Sequence, residues 1–136
     1  MDIDTALDFV RANPRGILAT RRRNGDAQQS PVLAALDGTG RLLISTRETA
    51  VKVRNLRRTP RASLCVITER FFGPWVQLTG RVEIVPLPEA MDLLVDYYRR
   101  ISGEHENWDE YRAAMEREHR CVVVLVPEEA GPSISG

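Results

Sequence analysis

The sequence predicts a mainly β, α+β fold: a small antiparallel barrel of six strands with a few covering helices. Three observations carry this. Tight turns separate the early strands, with Asn24-Gly25 the strongest hairpin signal in the chain and Asp37-Gly-Thr-Gly40 turning it again. Residues 75–85 alternate, Val76, Leu78, Val82 and Ile84 on one face against Trp75, Gln77, Thr79, Arg81 and Glu83 on the other. Gly80 interrupts the apolar face, as a bulge or sharp bend of a small barrel does.

The elements follow in order. Residues 2–12 read as a helix with Ala6, Phe9 and Val10 on one side, ended by Asn13-Pro14. A strand over 16–23 turns at Asn24-Gly25 into a return strand over 27–36, and the third strand covers 41–46. A basic helix begins at Ala50, capped by the Thr49 side chain, and Thr59-Pro60 stops it. Strand four covers 62–68, and Phe71-Phe72-Gly73-Pro74 is a loop carrying two exposed aromatics. After strand five, Pro88 suits the first turn of a helix whose apolar stripe is Met91, Leu94, Val95, Tyr98 and Ile101, ended by Gly103. Asn107 and Glu110 form a capping box for a second helix with Trp108, Tyr111 and Met115 inward. The last strand is the valine-dense run 121–126, and PEEAGPSISG is expected to be a polar, mobile tail.

Composition narrows the function classes. The length fits one domain, 1–136, with no linker or repeat. Net charge is zero, so no global field draws nucleic acid or membrane. Cys65 and Cys121 sit in apolar runs and read as reduced core residues of a cytoplasmic protein, and with His105 and His119 they show no metal-ligand spacing. The N-terminus has no secretory pattern and no run is long enough to span a membrane. No dinucleotide, P-loop, zinc-protease or nucleophile-elbow motif occurs, and no nucleophile–base pair is found, so no residue is assigned as catalytic.

One stretch stands out. Residues 41–61 carry Arg41, Arg47, Lys52, Arg54, Arg57, Arg58 and Arg61 against the single acid Glu48, while 104–118 is acidic. Of the 19 basic residues 18 are arginine, so Lys52 marks a position suited to a compact ammonium rather than a planar fork. A strand running through a turn into a capped helix offers free amides and a positive helix end to an anion. At helical spacing Arg54, Arg57, Arg58 and Arg61 share a side. The alternative is a solvated basic face.

With those residues in view, STRETAVKVRNLRRTPRASLCV resembles the centre of the pyridoxamine 5′-phosphate oxidase-like proteins, the FMN-binding split barrels, and within them the small actinobacterial branch that uses the deazaflavin coenzyme F420. Gly16–Val32 is similar to the family's A-T…G…S-P-V hairpin, Lys52–Ser63 keeps the K-x-R-N-L-R-R-x-P-R-x-S string, and Ser102–Met115 is similar to the branch's G-E-H-x-x-W-D-x-Y helix.

The resemblance implies a homodimer of six-stranded split barrels with cofactor sites between subunits. It implies that a cofactor phosphate sits on Ser45, Thr46, Arg47 and Lys52 with Arg54 nearby. The ring system then lies against Gln28, Ser30, Pro31 and Val32, and Trp75 walls the pocket from the partner. Each has a structural alternative: Ser45 ending a strand, Gln28 and Ser30 facing solvent, Trp75 a plain core or dimer contact. Trp108, Tyr111 and His105 read as helix packing. Leu33-Ala34 and Ala50 depart from the family's aromatic and basic residues, and the chain lacks the C-terminal arginine-rich motif of true pyridoxamine phosphate oxidases, so vitamin B6 oxidation is not expected.

The implied activity is hydride transfer between reduced coenzyme F420 and an electron-poor small molecule such as an enone or quinone, the chemistry belonging to the cofactor. The rivals are an FMN-dependent reductase or oxidase on the same barrel, and a non-catalytic carrier or haem- or anion-binding module. A nucleic-acid binder using Arg21–Arg23 is disfavoured by the zero net charge and the lack of interleaved aromatics.

Overall fold

A glycine and a backbone carbonyl touch at the tightest point of the barrel. A Cβ on Gly80 would lie 1.9 Å from the carbonyl oxygen of Val126. Only a residue without a side chain lets these two strands approach so closely, and their register shifts there, between Thr79 and Gly80.

The computed structural model describes residues 1–132. The elements are α1 (Ile3–Ala12), β1 (Arg15–Arg21), β2 (Ala27–Leu33), β3 (Ala35–Leu36), β4 (Leu42–Arg47), α2 (Val51–Arg58), β5 (Arg61–Ile67), β6 (Trp75–Pro86), α3 (Met91–Ser102), α4 (Trp108–Arg117) and β7 (Arg120–Gly131). All strand pairings are antiparallel, in the order β2-β1-β5-β6-β7-β4-β3. The expected class and antiparallel architecture are present, with seven strands in place of six.

The extra strand arises at Ala34. The expected return strand over 27–36 breaks there because the Ala34 amide makes the last rung of the β1–β2 ladder, donating to the Pro14 carbonyl at 2.9 Å, and Pro14 has no N–H to return the bond. The piece before the break pairs with β1 and the piece after it pairs with β4. The two edges of the sheet are therefore successive segments of one stretch of chain. Covalent continuity closes the sheet into a barrel, and the edges of β2 and β4 diverge beyond that point as the split.

Two cores sit on opposite faces of the sheet. Inside the barrel, Leu18, Ile44, Leu64, Leu78, Val123 and Leu125 pack with Leu7 and Val10 of α1 and Leu56 of α2. Outside, Leu43, Val122 and Val124 pack against Leu94, Val95, Tyr111 and Met115 of α3 and α4. β7 is covered on both faces, which is why its sequence is a continuous valine-rich run rather than an alternation.

Several local expectations are corrected. Thr49 does not cap α2; it lies inside a turn closed by Ala50 N donating to Arg47 O at 3.0 Å, and Ala50 occupies the N-cap without a side-chain bond. Arg61 is not on the helix face, because Thr59 caps α2 and Arg61 opens β5, paired with Glu128. Pro88 precedes α3, whose N-cap is Ala90. Residues 127–131 extend β7 against β6, so the first half of the supposed tail is strand; residues 133–136 lie outside the described residues. Half of the Asn107 capping box forms: its side chain accepts from Glu110 N at 3.1 Å, but its own amide donates to His105 Nδ1 at 2.9 Å rather than to Glu110.

Candidate functional site

The opening of the split has a defined structural cause. Continuing the β3–β4 register, in which Ala35 faces Leu43, would set Leu33 opposite Ser45. The Tyr97 hydroxyl takes that place instead, donating to the Leu33 carbonyl at 3.0 Å while the Ser45 backbone faces its oxygen. Past this wedge, β2 has no strand partner on its outer edge and residues 44–47 of β4 have none on theirs. α2 follows directly from β4 and packs against β1. The cleft is thus flanked by β2, the end of β4 and the start of α2, which are the three segments that hold most of the sequence-predicted site residues.

The pleat sorts those residues. On β2, Gln28, Ser30 and Val32 are half-buried and share one face, while Pro31 is exposed on the other with Gln29 and Leu33. Ser30 Oγ is buried with no hydrogen-bond partner among the described residues. On β4, Thr46 is buried opposite Cys121. Ser45 and Arg47 take the other face, opposite Val122 and Arg120.

Charge in the basic stretch is mostly neutralised within the chain. Arg41 pairs with Asp37 at 2.7 Å, Arg57 with Glu48 at 2.7 Å, and Arg61 with Glu128. Glu118 holds Arg47 at 3.2 Å and Arg120 at 2.8 Å, and those bonds, Arg120's above all, keep its carboxyl below the usual range. Arg58 is spent on Asn55 Oδ1 and the Arg21 carbonyl. Lys52 and Arg54 remain, with no hydrogen bond or ion pair among the described residues. Arg54 is exposed; Lys52 is half-buried. Burial and then the Arg120 guanidinium push the Lys52 ammonium below its ordinary value, opposed in part by the Cys121 sulfur. A half-buried cation facing another cation, with no carboxylate to answer it, is an arrangement an anion would relieve.

A polar chain, which sequence reasoning missed, joins α2 to β2. Asn55 Nδ2 donates to Thr20 Oγ1 at 3.1 Å, and Thr20 Oγ1 donates to Gln28 Oε1 at 3.0 Å. Asn55 and Thr20 are 4% and 1% exposed. Asn55 lies in the matched K-x-R-N-L string, but no pattern in a single sequence couples it to Thr20, 35 residues earlier. Tyr97 and Arg120 were missed for the same reason, each reaching the site from a distant element.

The rings around Trp108 pack between α3 and α4. The rings of Tyr98, His105, Trp108 and Tyr111 pack at centroid distances of 5.0–5.7 Å. Arg99 stacks 4.7 Å from the Trp108 ring, and Glu104 joins both.

Trp75 stands away from the split, on the outer face of β1, β2, β5 and β6. Register places Pro31, Ile17, Cys65 and Gln77 in one row of this face and Ile67 beside Trp75 in another. No described helix covers it; α3 and α4 lie over β4 and β7. Ile17, Pro31, Leu33 and Ile67 line an apolar hollow of about 400 Å³. Phe71 and Phe72, in the loop between β5 and β6, are 74% and 89% exposed. Among the described residues no cluster of histidine, cysteine and carboxylate side chains could hold a metal, and no helix is long and apolar enough to cross a membrane.

Residues 3–134 match the family described as pyridoxamine 5′-phosphate oxidase. Among solved structures, the chain is similar to an F420 reductase at 26% identity, covering 91% of this chain and 94% of that one, with a TM-score of 0.68. It is similar in fold to a conserved hypothetical protein of Mycobacterium tuberculosis, at 24% identity, 100% and 93% coverage and a TM-score of 0.77. It is also similar in fold to a pyridoxamine 5′-phosphate oxidase-related, FMN-binding protein of Nostoc punctiforme, at 17% identity, 94% and 79% coverage and a TM-score of 0.64.

Proposed function

The chain belongs to the pyridoxamine 5′-phosphate oxidase family, and from that premise we propose that it is an oxidoreductase that takes coenzyme F420 in its split and reduces a small, electron-poor organic substrate. What carries this reading is Lys52: half-buried, beside Arg120, and without an anionic partner among the described residues. The buried, unpartnered Ser30 Oγ on the facing strand supports a ligand with polar atoms on both sides of the cleft.

In this reading Lys52 binds a phosphoryl oxygen, with Ser45 and the free backbone edge at Thr46 and Arg47 completing the cradle. Arg54, one short step along α2 and unpaired, meets the anionic tail beyond the phosphate. Gln28, Ser30 and Val32 hold the ring system, Ser30 through the hydroxyl that has no other partner. When bound, the deazaflavin supplies hydride exchange at its ring. The protein contributes orientation and exclusion of water, which bring the reacting atoms into line without an acid or base of its own.

A homodimer belongs to the same proposal. The uncovered apolar face carrying Ile17, Pro31, Leu33, Ile67 and Trp75 suits a second copy of the chain, and would bring Pro31 and Trp75 to the rim of the partner's cleft. A cytoplasmic location accords with Cys65 and Cys121 remaining free thiols.

The F420 reductase similarity and the free Arg54 favour the longer anionic cofactor; FMN is the second reading, supported by the same phosphate contact at Lys52. Titration of the wild type and Lys52→Ala with coenzyme F420 and with FMN tests both. The deazaflavin is expected to bind more tightly, and the substitution to weaken binding by at least ~1 kcal/mol, the low end for a charge-assisted contact. Equal affinity in the variant removes Lys52 from the site.

A further inference from the structure

From the polar chain behind β2 we infer that Arg58, acting through Asn55 and Thr20, fixes Gln28 as a hydrogen-bond donor to an acceptor atom of the ligand in the split.

The polarity follows from donor and acceptor inventories. An arginine side chain can only donate. Arg58 Nη2 lies 3.0 Å from Asn55 Oδ1, so that oxygen accepts and the amide's NH₂ end must face Thr20. Asn55 Nδ2 accordingly donates to Thr20 Oγ1 at 3.1 Å. Thr20 has one hydroxyl proton, and at 1% exposure that proton needs a protein acceptor. Gln28 Oε1, at 3.0 Å, supplies it. With Oε1 committed, Gln28 Nε2 is left with its two protons and one long contact, 3.4 Å to the Gln29 carbonyl. The opposite Gln28 flip would give Thr20 two donors and leave its own proton without an acceptor.

The placement makes this donor useful. Gln28 shares its face of β2 with Ser30, and Asn55 lies one turn along α2 from Lys52, on nearly the same side of the helix. The same helix that brings the anion-binding lysine to one side of the cleft therefore sets the polarity of the amide on the other. A ligand that presents a carbonyl oxygen or an unprotonated ring nitrogen to β2 is matched; one that presents N–H is not. Asn55 and Thr20 are positioning residues, buried and out of reach of the ligand.

This inference rests on the cofactor reading only for what fills the cleft; the polarity itself is testable without ligand. Proton exchange of the Gln28 side-chain amide, followed by NMR in ¹⁵N-labelled apoprotein, is expected to be fast in the wild type. Asn55→Asp inverts the chain: a carboxylate at that position only accepts, Thr20 must then donate to it, and Gln28 must turn Nε2 toward Thr20. One Gln28 amide proton should become protected. If that variant does not fold, Thr20→Val serves, freeing Gln28 Oε1 and shifting the Gln28 amide resonances. Protected Gln28 protons in the wild type, or Gln28 resonances and exchange unmoved by these changes, overturn the polarity.

Binding of coenzyme F420 and of FMN forms the second arm. Gln28→Glu and Asn55→Asp are each expected to weaken the better-bound of the two about tenfold, the effect of replacing a donor with an acceptor, and the losses should not add in the double variant. Wild-type affinity in Gln28→Glu overturns the assignment of the donor to the ligand. If the wild type binds neither probe, the cofactor reading falls while the exchange experiment still decides the polarity.

Discussion

The Tyr97 hydroxyl donates to the carbonyl of Leu33 at 3.0 Å, at the point where the β-ladder would otherwise continue between Leu33 and Ser45. A side chain from a covering helix thus ends one pairing of the barrel and begins the cleft. Tyr97→Phe leaves the Leu33 carbonyl without that donor. The expected cost is about 1 kcal/mol of stability, measured by urea unfolding, together with weaker cofactor binding as the cleft mouth loosens. A variant as stable as the wild type would assign the wedge to ring packing instead.

Lys52→Ala should move stability and binding in opposite directions. In the ligand-free protein the ammonium is partly desolvated and repelled by Arg120, so its removal is expected to be neutral or mildly stabilising. Cofactor affinity should fall at the same time. The folded-state value lies below the ordinary 10.5, so affinity is lost as pH rises through that lower value, earlier than for a solvent-exposed lysine. Thermal shifts with and without ligand across alkaline pH check both signs.

Alkaline stability has its own signature. Burial pushes the Tyr111 hydroxyl up to about 12, and it donates to the Leu94 carbonyl at 2.8 Å. Burial raises Tyr97 as well. A raised folded value means that the unfolded chain loses its proton first. The contribution is complete below pH 10 and is lost as pH climbs from about 10 toward 12, on the order of 2 kcal/mol from Tyr111. Tyr111→Phe should flatten the pH dependence of unfolding free energy in that window while lowering stability at neutral pH.

Gly80→Ala is expected to cost ~3 kcal/mol or more, because the added methyl meets the backbone of Val126 and Pro127 rather than a flexible side chain. Gly25→Ala meets no atom within 4 Å and bears only the strain of its positive φ, about 1 kcal/mol. Melting temperatures of the two variants should separate clearly, with Gly80→Ala much the lower.

The proposed dimer is tested by Ile17→Lys. Ile17 sits in the uncovered row with Pro31 and Cys65, where a lysine can reach water in a monomer but would bury its charge under a second copy. Sedimentation velocity should find wild-type dimers and variant monomers of unchanged fold. A wild type that stays monomeric over the accessible concentration range would sink the interface.

Local pattern was enough for the strands whose neighbours lie close in sequence. The β1–β2 hairpin, the alternation of β6 with its Gly80 bulge, and the amphipathic stripe of α3 were all legible, because pleat and helical period write themselves into residue order. Lys52 stood out as a lone lysine among arginines, but its partial burial beside Arg120 came only from the fold. The break at Ala34 was not legible, because it depends on Pro14 closing the β1–β2 ladder with no N–H to return the bond, and on residues 35–36 then finding β4. Nor was the strand hidden in residues 127–131, a polar segment whose pairing comes wholly from β6. Which arginines in the basic stretch stay free was decided only in three dimensions: Glu118, Glu128 and Asp37 neutralise theirs from other elements or turns, and Arg58 turns inward to orient Asn55. Periodicity records which face a residue takes, whereas a hydrogen bond or an ion pair needs two groups brought together, and only the closing of the barrel does that.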